Sequence, residues 1–325
     1  MIISRTPLRI SFAGGGSDLP SFYKRYGGAV LSTTIDKYVY IAVHDYFYSN
    51  QTLLKYSKTE LVNTTDEIQH PLFRECLNTL NLSGLDISSM ADVPAGTGLG
   101  SSSSFTVSLL NVLHAYKHEA VSAEYLASMA CDIEINRLED PIGKQDQYAA
   151  AYGGLNFIRF AQDGSVDVER IVMDGNVKAQ LDRNLIMLYT GQTHSASAIL
   201  RQQNTEMQKA DKCQIMREMV QMAYELKNAL QHNNIDDFGH ILHEGWLLKQ
   251  SLSAGITNNA ISTMYAQGLE AGALGGKLLG AGGAGFLLFY CPEEKQGRFR
   301  QMMRQYRELC FRFENYGSKI IYMND

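Results

Sequence analysis

Apolar and β-branched residues crowd two stretches near the start of the chain, Ala29–Ile35 and Tyr38–Tyr48. With only Asp36-Lys37 between them, they predict an antiparallel hairpin. Leu53–Tyr56 and Leu85–Met90 have the same strand-like density, whereas Pro71–Leu82 has helical spacing and a proline in its first turn. Longer helical patterns follow at Ser103–His118 and Ser122–Leu138, the second stopped by Pro141 and Gly143. Strand patterns return at Gly154–Phe160 and Val166–Val172. A second half opens near Val177 with a buried-looking strand at Asn184–Tyr189, then helices over Ser195–Lys209, Gln214–His232, Ile235–Leu252 and Asn258–Glu270. Within it, Ile215, Met219, Met222, Leu226 and Leu230 recur at helical spacing, a stripe that reads as core. A strand at Gly285–Tyr290, a helix near Glu294–Tyr306 and a strand at Lys319–Tyr322 close the chain. Strands, then helices, then strands predict two α+β halves rather than one doubly wound sheet.

Composition narrows this little. The 325 residues are 45% hydrophobic and 19% charged, ordinary globular values. A net charge of −5 offers no bulk attraction to nucleic acid or to an anionic membrane. The five cysteines (Cys76, Cys131, Cys213, Cys291, Cys310) form no CxxC pair and read as reduced thiols of a cytoplasmic protein. Arg5 and Arg9 interrupt the first apolar pattern, so it lacks the core of a signal peptide. Nothing in the sequence fixes whether the chain acts alone or as a homo-oligomer.

The sharpest chemical signal is Asp92-Val93-Pro94-Ala95-Gly96-Thr97-Gly98-Leu99-Gly100-Ser101-Ser102-Ser103-Ser104, which runs straight into an apolar helix. Alternate glycines let a backbone approach a ligand closely, and a helix start offers free N–H groups and a favourable dipole to phosphate. The serines could cap that helix or offer hydroxyl oxygens to Mg²⁺. No lysine follows in a Walker pattern. The GxGxG spacing, with no acidic residue ending a second strand, also argues against a dinucleotide-dependent oxidoreductase.

Pro94 to Ser104 resembles the second motif of the GHMP kinases. Arg5-Thr6-Pro7-Leu8-Arg9-Ile10-Ser11-Phe12-Ala13-Gly14-Gly15-Gly16-Ser17-Asp18 resembles the first, and Lys277-Leu278-Leu279-Gly280-Ala281-Gly282-Gly283-Ala284-Gly285 the third. Three motifs in the family's order, over almost the whole chain, imply its α+β fold. That fold has an N-terminal mixed-sheet ATP-binding domain, placed at 1–176, and a C-terminal ferredoxin-like α/β sandwich, placed at 177–325. The resemblance implies a kinase with ATP and Mg²⁺ as cofactors. It assigns Pro94, Gly96, Thr97, Gly98, Leu99, Gly100, Ser101, Ser102 and Ser103 to the nucleotide.

Phosphoryl transfer needs positioning, charge neutralisation and a group that takes the acceptor's proton. Gln145-Asp146-Gln147-Tyr148 resembles the segment carrying the family's catalytic aspartate, which makes Asp146 the base. By the same resemblance Arg9 lies beside the transferring group, Ser102 and Glu134 hold Mg²⁺, and Asp18 bonds sugar hydroxyls. Read singly, Asp146 is a helix cap, Glu134 a solvated helix residue and Arg9 a surface charge; joint occurrence at the family's spacing reverses those readings. His240 and His243 share a helix face, but with no third ligand they read as ordinary surface. Lys55-Tyr56-Ser57 is a candidate flank for the adenine.

Gly15-Gly16-Ser17-Asp18 and the late segment from Glu244 to Asn258 resemble the bacterial D-glycero-D-manno-heptose 7-phosphate kinases and their fucokinase-like relatives. That resemblance implies phosphorylation of the anomeric hydroxyl of heptose 7-phosphate, for nucleotide-activated heptose and surface polysaccharide. The acceptor would lie against Gly15, Gly16, Ser17, Asp18, Gly282 and Gly283. Its own phosphate would want a basic clamp, for which Lys24, Arg25, Lys37, Arg137 and Lys144 are candidates. The rival readings are a kinase for a fucose- or galactose-like sugar or an isoprenoid alcohol, and a non-catalytic sugar sensor on the same fold.

Overall fold

The computed structural model describes residues 1–193 and 196–324. Twelve strands are formed there: β1 (Ile2–Ala13), β2 (Gly28–Asp45), β3 (Thr52–Lys55), β4 (Thr59–Val62), β5 (Leu85–Ala91), β6 (Asn156–Phe160), β7 (Val166–Arg170), β8 (Leu185–Tyr189), β9 (Gly275–Leu278), β10 (Phe286–Tyr290), β11 (Phe313–Glu314) and β12 (Lys319–Met323). The large sheet runs β12-β1-β2-β5-β3-β4. On the side of β2 away from β1, β6, β11 and β5 each take a segment, and β7 pairs with β6. The β3–β5 pair is parallel and the rest are antiparallel, so the sheet is mixed.

The expected hairpin at Asp36-Lys37 is instead one continuous strand of 18 residues. Both halves of β2 find a partner in the 12-residue β1, so the chain gains nothing by turning back. The register steps from Pro7↔Tyr38 to Leu8↔Ile35, which leaves Asp36 and Lys37 as an insertion opposite a proline that has no N–H to give the ladder. Arg312 completes the insertion: its carbonyl accepts from the Asp36 N–H and its own N–H donates to Asp36 Oδ1.

The helix Ser101–Tyr116 lies across β1 and β2, with Val107, Leu109, Leu110, Val112 and Leu113 fully buried. The expected helix over Ser122–Leu138 holds as α-helix through Cys131, then widens into a π-helical turn at Asp132–Arg137 before Pro141. Such turns are frequent at functional sites, and this one carries Glu134. The second half builds a three-stranded antiparallel sheet, β8-β10-β9; the helix Phe238–Gln250 packs on β9 and β10, the helix Asn259–Glu270 stacks Tyr265 on Phe289, and the helix Ala210–Gln231 packs against β1, β2 and Phe238–Gln250. Leu226 and Leu230 of the predicted stripe are buried, and they join the core beneath the large sheet. The expected helix from Ser195 is observed as Ala196–Glu206, with Ser195 outside the described residues. The last segment returns, and β11 and β12 extend the large sheet.

Candidate active site

The helix Ser101–Tyr116 starts at Gly100 with no side-chain cap. Its first N–H groups therefore stay free at the mouth of a cavity of about 290 Å³ that opens between the two halves of the chain. Gly96, Gly98, Gly100, Ser101, Ser102 and Ser103 line that cavity. Pro94, Thr97 and Leu99 do not. Thr97 donates its hydroxyl to the Pro94 carbonyl, and the Leu99 carbonyl accepts from the Arg9 N–H, so these three shape the loop. The third motif braces it from the other half. A Cβ on Gly98 would lie 2.4 Å from the Leu279 carbonyl oxygen, and one on Gly280 would lie 2.5 Å from the Gly98 Cα. Both residues have positive φ, so glycine is required at this crossing twice over.

Arg9, only 4% exposed, is held at three points. Nε and Nη2 donate to the two carboxylate oxygens of Asp146 at 2.7 Å each, and Nη1 donates to the Gly98 carbonyl at 2.6 Å. This two-pronged pair fixes the plane of both groups. It also places the carboxylate against the loop, because a Cβ on Gly100 would sit 3.3 Å from Asp146 Oδ2.

Asp18 is buried in the same cavity. Its Oδ1 accepts from the Gly16 N–H at 3.0 Å and its Oδ2 from the Gln145 N–H at 3.1 Å. Burial pushes its pKa up, partly countered by those N–H groups. Gly15, Gly16 and Gly282 also line the cavity. Ser17 instead exchanges two bonds with Ala29, and Gly283 backs onto Ile199 and Gly255.

Glu134 is completely buried beneath the loop, and its partner there is Ser103 rather than Ser102. Ser103 donates its hydroxyl to Oε2 at 2.7 Å, and Thr106 and Gln147 donate as well. Burial raises its pKa to about 7 against those three bonds. Among the described residues no group of three His, Cys, Asp or Glu side chains could hold a metal ion. His243 bonds the Tyr265 hydroxyl at 2.8 Å.

None of the five anticipated basic clamps reaches the cavity. Lys24 and Arg25 are exposed, Lys37 bonds Asp36, Arg137 bonds Asp132, and Lys144 donates to the Gly164 carbonyl. Lys249 and Lys277 line it instead, although only the folded chain shows them there. Lys55 pairs with Asp86 and Tyr56 with Glu60, away from the cavity lining. Three further residues of the cavity lining carry a polar atom that is buried without a partner among the described residues: Ser11 Oγ, Gln145 Oε1 and Gln203 Nε2. Such atoms are rare in folded proteins unless a ligand or water meets them. Sequence reasoning missed them because Gln203 comes from a helix some 185 residues beyond Asp18 with nothing local to mark it.

A glycine loop that opens a helix, a carboxylate–guanidinium pair beside it and an adjoining polar pocket are the parts a small-molecule kinase needs. The chain belongs to the GHMP kinases: the family's N-terminal domain matches residues 63–154 and its C-terminal domain residues 226–311. It is thus a phosphotransferase with an alcohol group as acceptor, a sugar kinase of a family that uses ATP. It is 26% identical over 318 residues to the D-glycero-alpha-D-manno-heptose 7-phosphate kinase of Campylobacter jejuni, a match covering 94% of this chain and 93% of that one. The crystal structure of a D-glycero-D-manno-heptose 1-phosphate kinase from Bacteriodes thetaiotaomicron aligns over the whole of both chains with a TM-score of 0.82 and 25% identity. The bifunctional fucokinase/GDP-fucose pyrophosphorylase of Arabidopsis thaliana is 24% identical over 95% of this chain and 32% of its own length. No helix among the described residues is long and apolar enough to cross a membrane.

Proposed function

We propose that this sugar kinase transfers the terminal phosphoryl group of ATP to the anomeric hydroxyl of D-glycero-D-manno-heptose 7-phosphate. The product would be the 1,7-bisphosphate, made in the cytoplasm for nucleotide-activated heptose and surface polysaccharide. The observation that carries the chemistry is the Arg9–Asp146 pair, standing against Gly98 and Gly100 in the same cavity as Asp18. The names of two relatives support the heptose, and they place its phosphate differently.

In this reading residues 1–176 bind ATP and residues 177–325 close the cavity, with β11 and β12 lent back to the first sheet. The free N–H groups at Ser101–Ser103 receive the nucleotide's phosphates. Asp146 takes the acceptor proton as the hydroxyl oxygen attacks the terminal phosphorus, and ADP departs with the electrons of the broken P–O bond. Arg9 cannot swing away, so its charge stays fixed where charge develops in the transition state. Asp18, held by two backbone N–H groups, orients sugar hydroxyls, as do Ser11, Gln145 and Gln203.

The residues suit a magnesium ion. Glu134 is a buried carboxylate with no basic partner among the described residues, beneath serines that line the cavity. One carboxylate and a hydroxyl match an ion that keeps most of its waters and leans on phosphate oxygens. Ser102 and Glu134 would hold it. Bound there, it would neutralise charge on the nucleotide.

ADP release measured with heptose 7-phosphate, heptose 1-phosphate, fucose, galactose and mevalonate tests the proposal. A clear preference for heptose 7-phosphate is expected. Preference for fucose would favour the second reading, to which the fucokinase relative points. ATP turnover with none of them would overturn the sugar assignment.

A further inference from the structure

Lys249 and Lys277 enter the cavity from different elements, the helix Phe238–Gln250 and strand β9, yet only 6% and 5% of their surfaces are exposed. Their ammonium groups donate to backbone carbonyls, Lys249 to Gly280 and Lys277 to Phe12 at 2.8 Å. Among the described residues neither has a carboxylate within ion-pair distance. A buried ammonium that meets one neutral carbonyl keeps further N–H groups to donate, and a buried cation normally has a counter-ion. Arg9, the third cation, is already committed to Asp146 and Gly98.

Placement indicates what would supply the missing charge. Phe12 lies two residues before the Gly14–Asp18 turn, so Lys277 is anchored near the head of the acceptor segment. Lys249 is bound to Gly280, the residue that crosses Gly98 of the nucleotide loop. Burial and the charge of Arg9 lower its pKa to about 8, against Asp18 and Asp146, which pull it up. Lys277 is pushed well below its ordinary value by burial and by its two basic neighbours.

We propose that Lys249 and Lys277 form one receptor for a phosphate monoester dianion, and that the group it receives is the acceptor's own phosphate. This rests on the kinase reading but not on the identity of the sugar. The receptor makes a phosphorylated acceptor the preferred class of substrate, and it does so with charge drawn from the half of the chain that does not carry the nucleotide loop. A phosphate bound there also holds the protons that burial would otherwise strip from the pair, so binding near pH 8 takes up protons.

Titration calorimetry with inorganic phosphate decides the matter, using the full chain first saturated with Mg²⁺ and either ADP or the non-hydrolysable analogue AMP-PNP. Phosphate is expected to bind in both states. Its heat should differ between two buffers of unlike ionisation enthalpy, as proton uptake requires. Lys249→Met and Lys277→Met should each weaken binding by roughly 10- to 100-fold, the range for losing a charge-assisted bond, while Lys249→Arg retains most of it. In steady state, Lys249→Met should lower kcat/KM for the phosphorylated sugar by a similar factor and leave the KM for ATP within about twofold. Phosphate binding with ADP but not with AMP-PNP would show that the pair serves the nucleotide's terminal phosphoryl group, which overturns the acceptor assignment. Binding that both methionine variants leave unchanged, or no binding at all, overturns the receptor. The heat of AMP-PNP binding reports on the kinase reading separately: nucleotide binding without phosphate binding removes only the receptor, and absence of nucleotide binding removes the kinase.

Discussion

A receptor built of buried cations should burden the empty protein, and Lys249→Met measures that burden. The fold holds the Lys249 pKa at about 8, against 10.5 when solvated. At about 1.4 kcal/mol per unit, the protonated side chain costs the native state about 3 kcal/mol at pH 7. The unfolded chain binds this proton more tightly than the folded one. Stability therefore rises with pH between 8 and 10.5, and below 8 the whole cost is felt. Methionine has similar volume and no charge, but it forfeits the bond to the Gly280 carbonyl, worth about 1 kcal/mol. The expected balance at pH 7 is a gain of about 2 kcal/mol, or a rise of roughly 4 °C in melting temperature for a chain of this size. At pH 10 the gain should vanish, because the native lysine is by then neutral. Thermal melts of both proteins at the two pH values, without ligands, provide the check. A variant less stable at pH 7, or one stabilised equally at both, would refute the electrostatic account. Added stability joined to lost phosphate binding is the signature of a residue kept for function.

Three other substitutions probe the rest of the cavity. Asp146→Asn keeps one acceptor for Arg9 and turns an amide against its other N–H, so kcat should fall roughly 10²- to 10⁴-fold with a small change in the KM for ATP; a rate within tenfold of the parent would remove Asp146 from proton transfer. Gly143→Ala puts a Cβ 1.9 Å from Asp18 Oδ2, and the displaced carboxylate should raise the acceptor KM about tenfold and cost about 1–3 kcal/mol of stability. An unchanged acceptor KM would show that Asp18 does not touch the sugar. Gln203→Leu deletes an N–H that has no partner among the described residues; the acceptor KM should rise roughly tenfold while the melting temperature holds or increases, and a fall in both affinity and stability would make Gln203 structural.

Whatever depends on neighbours along the chain was legible before folding. The Gly96–Gly100 run entering an apolar helix predicts a phosphate cradle, since the turn and the free N–H groups are local consequences of those residues. Most helices and strands were legible for the same reason. The failures have a shared cause. Asp36-Lys37 read as a turn because only the partner strand β1, with Pro7 opposite, makes an insertion the better solution. The hydroxyl that Glu134 accepts comes from Ser103, a contact between the helix start and the π-helical turn that no spacing along the chain displays. The lysines are the plainest case. Lys249 and Lys277 lie in segments whose kinship was visible, yet no local pattern tells a buried cation from a solvated one. The fold carries the first to the Gly280 carbonyl and the second to the Phe12 carbonyl, 265 residues back along the chain. Burial and counter-charge are properties of a position in space, and only the tertiary structure could assign them.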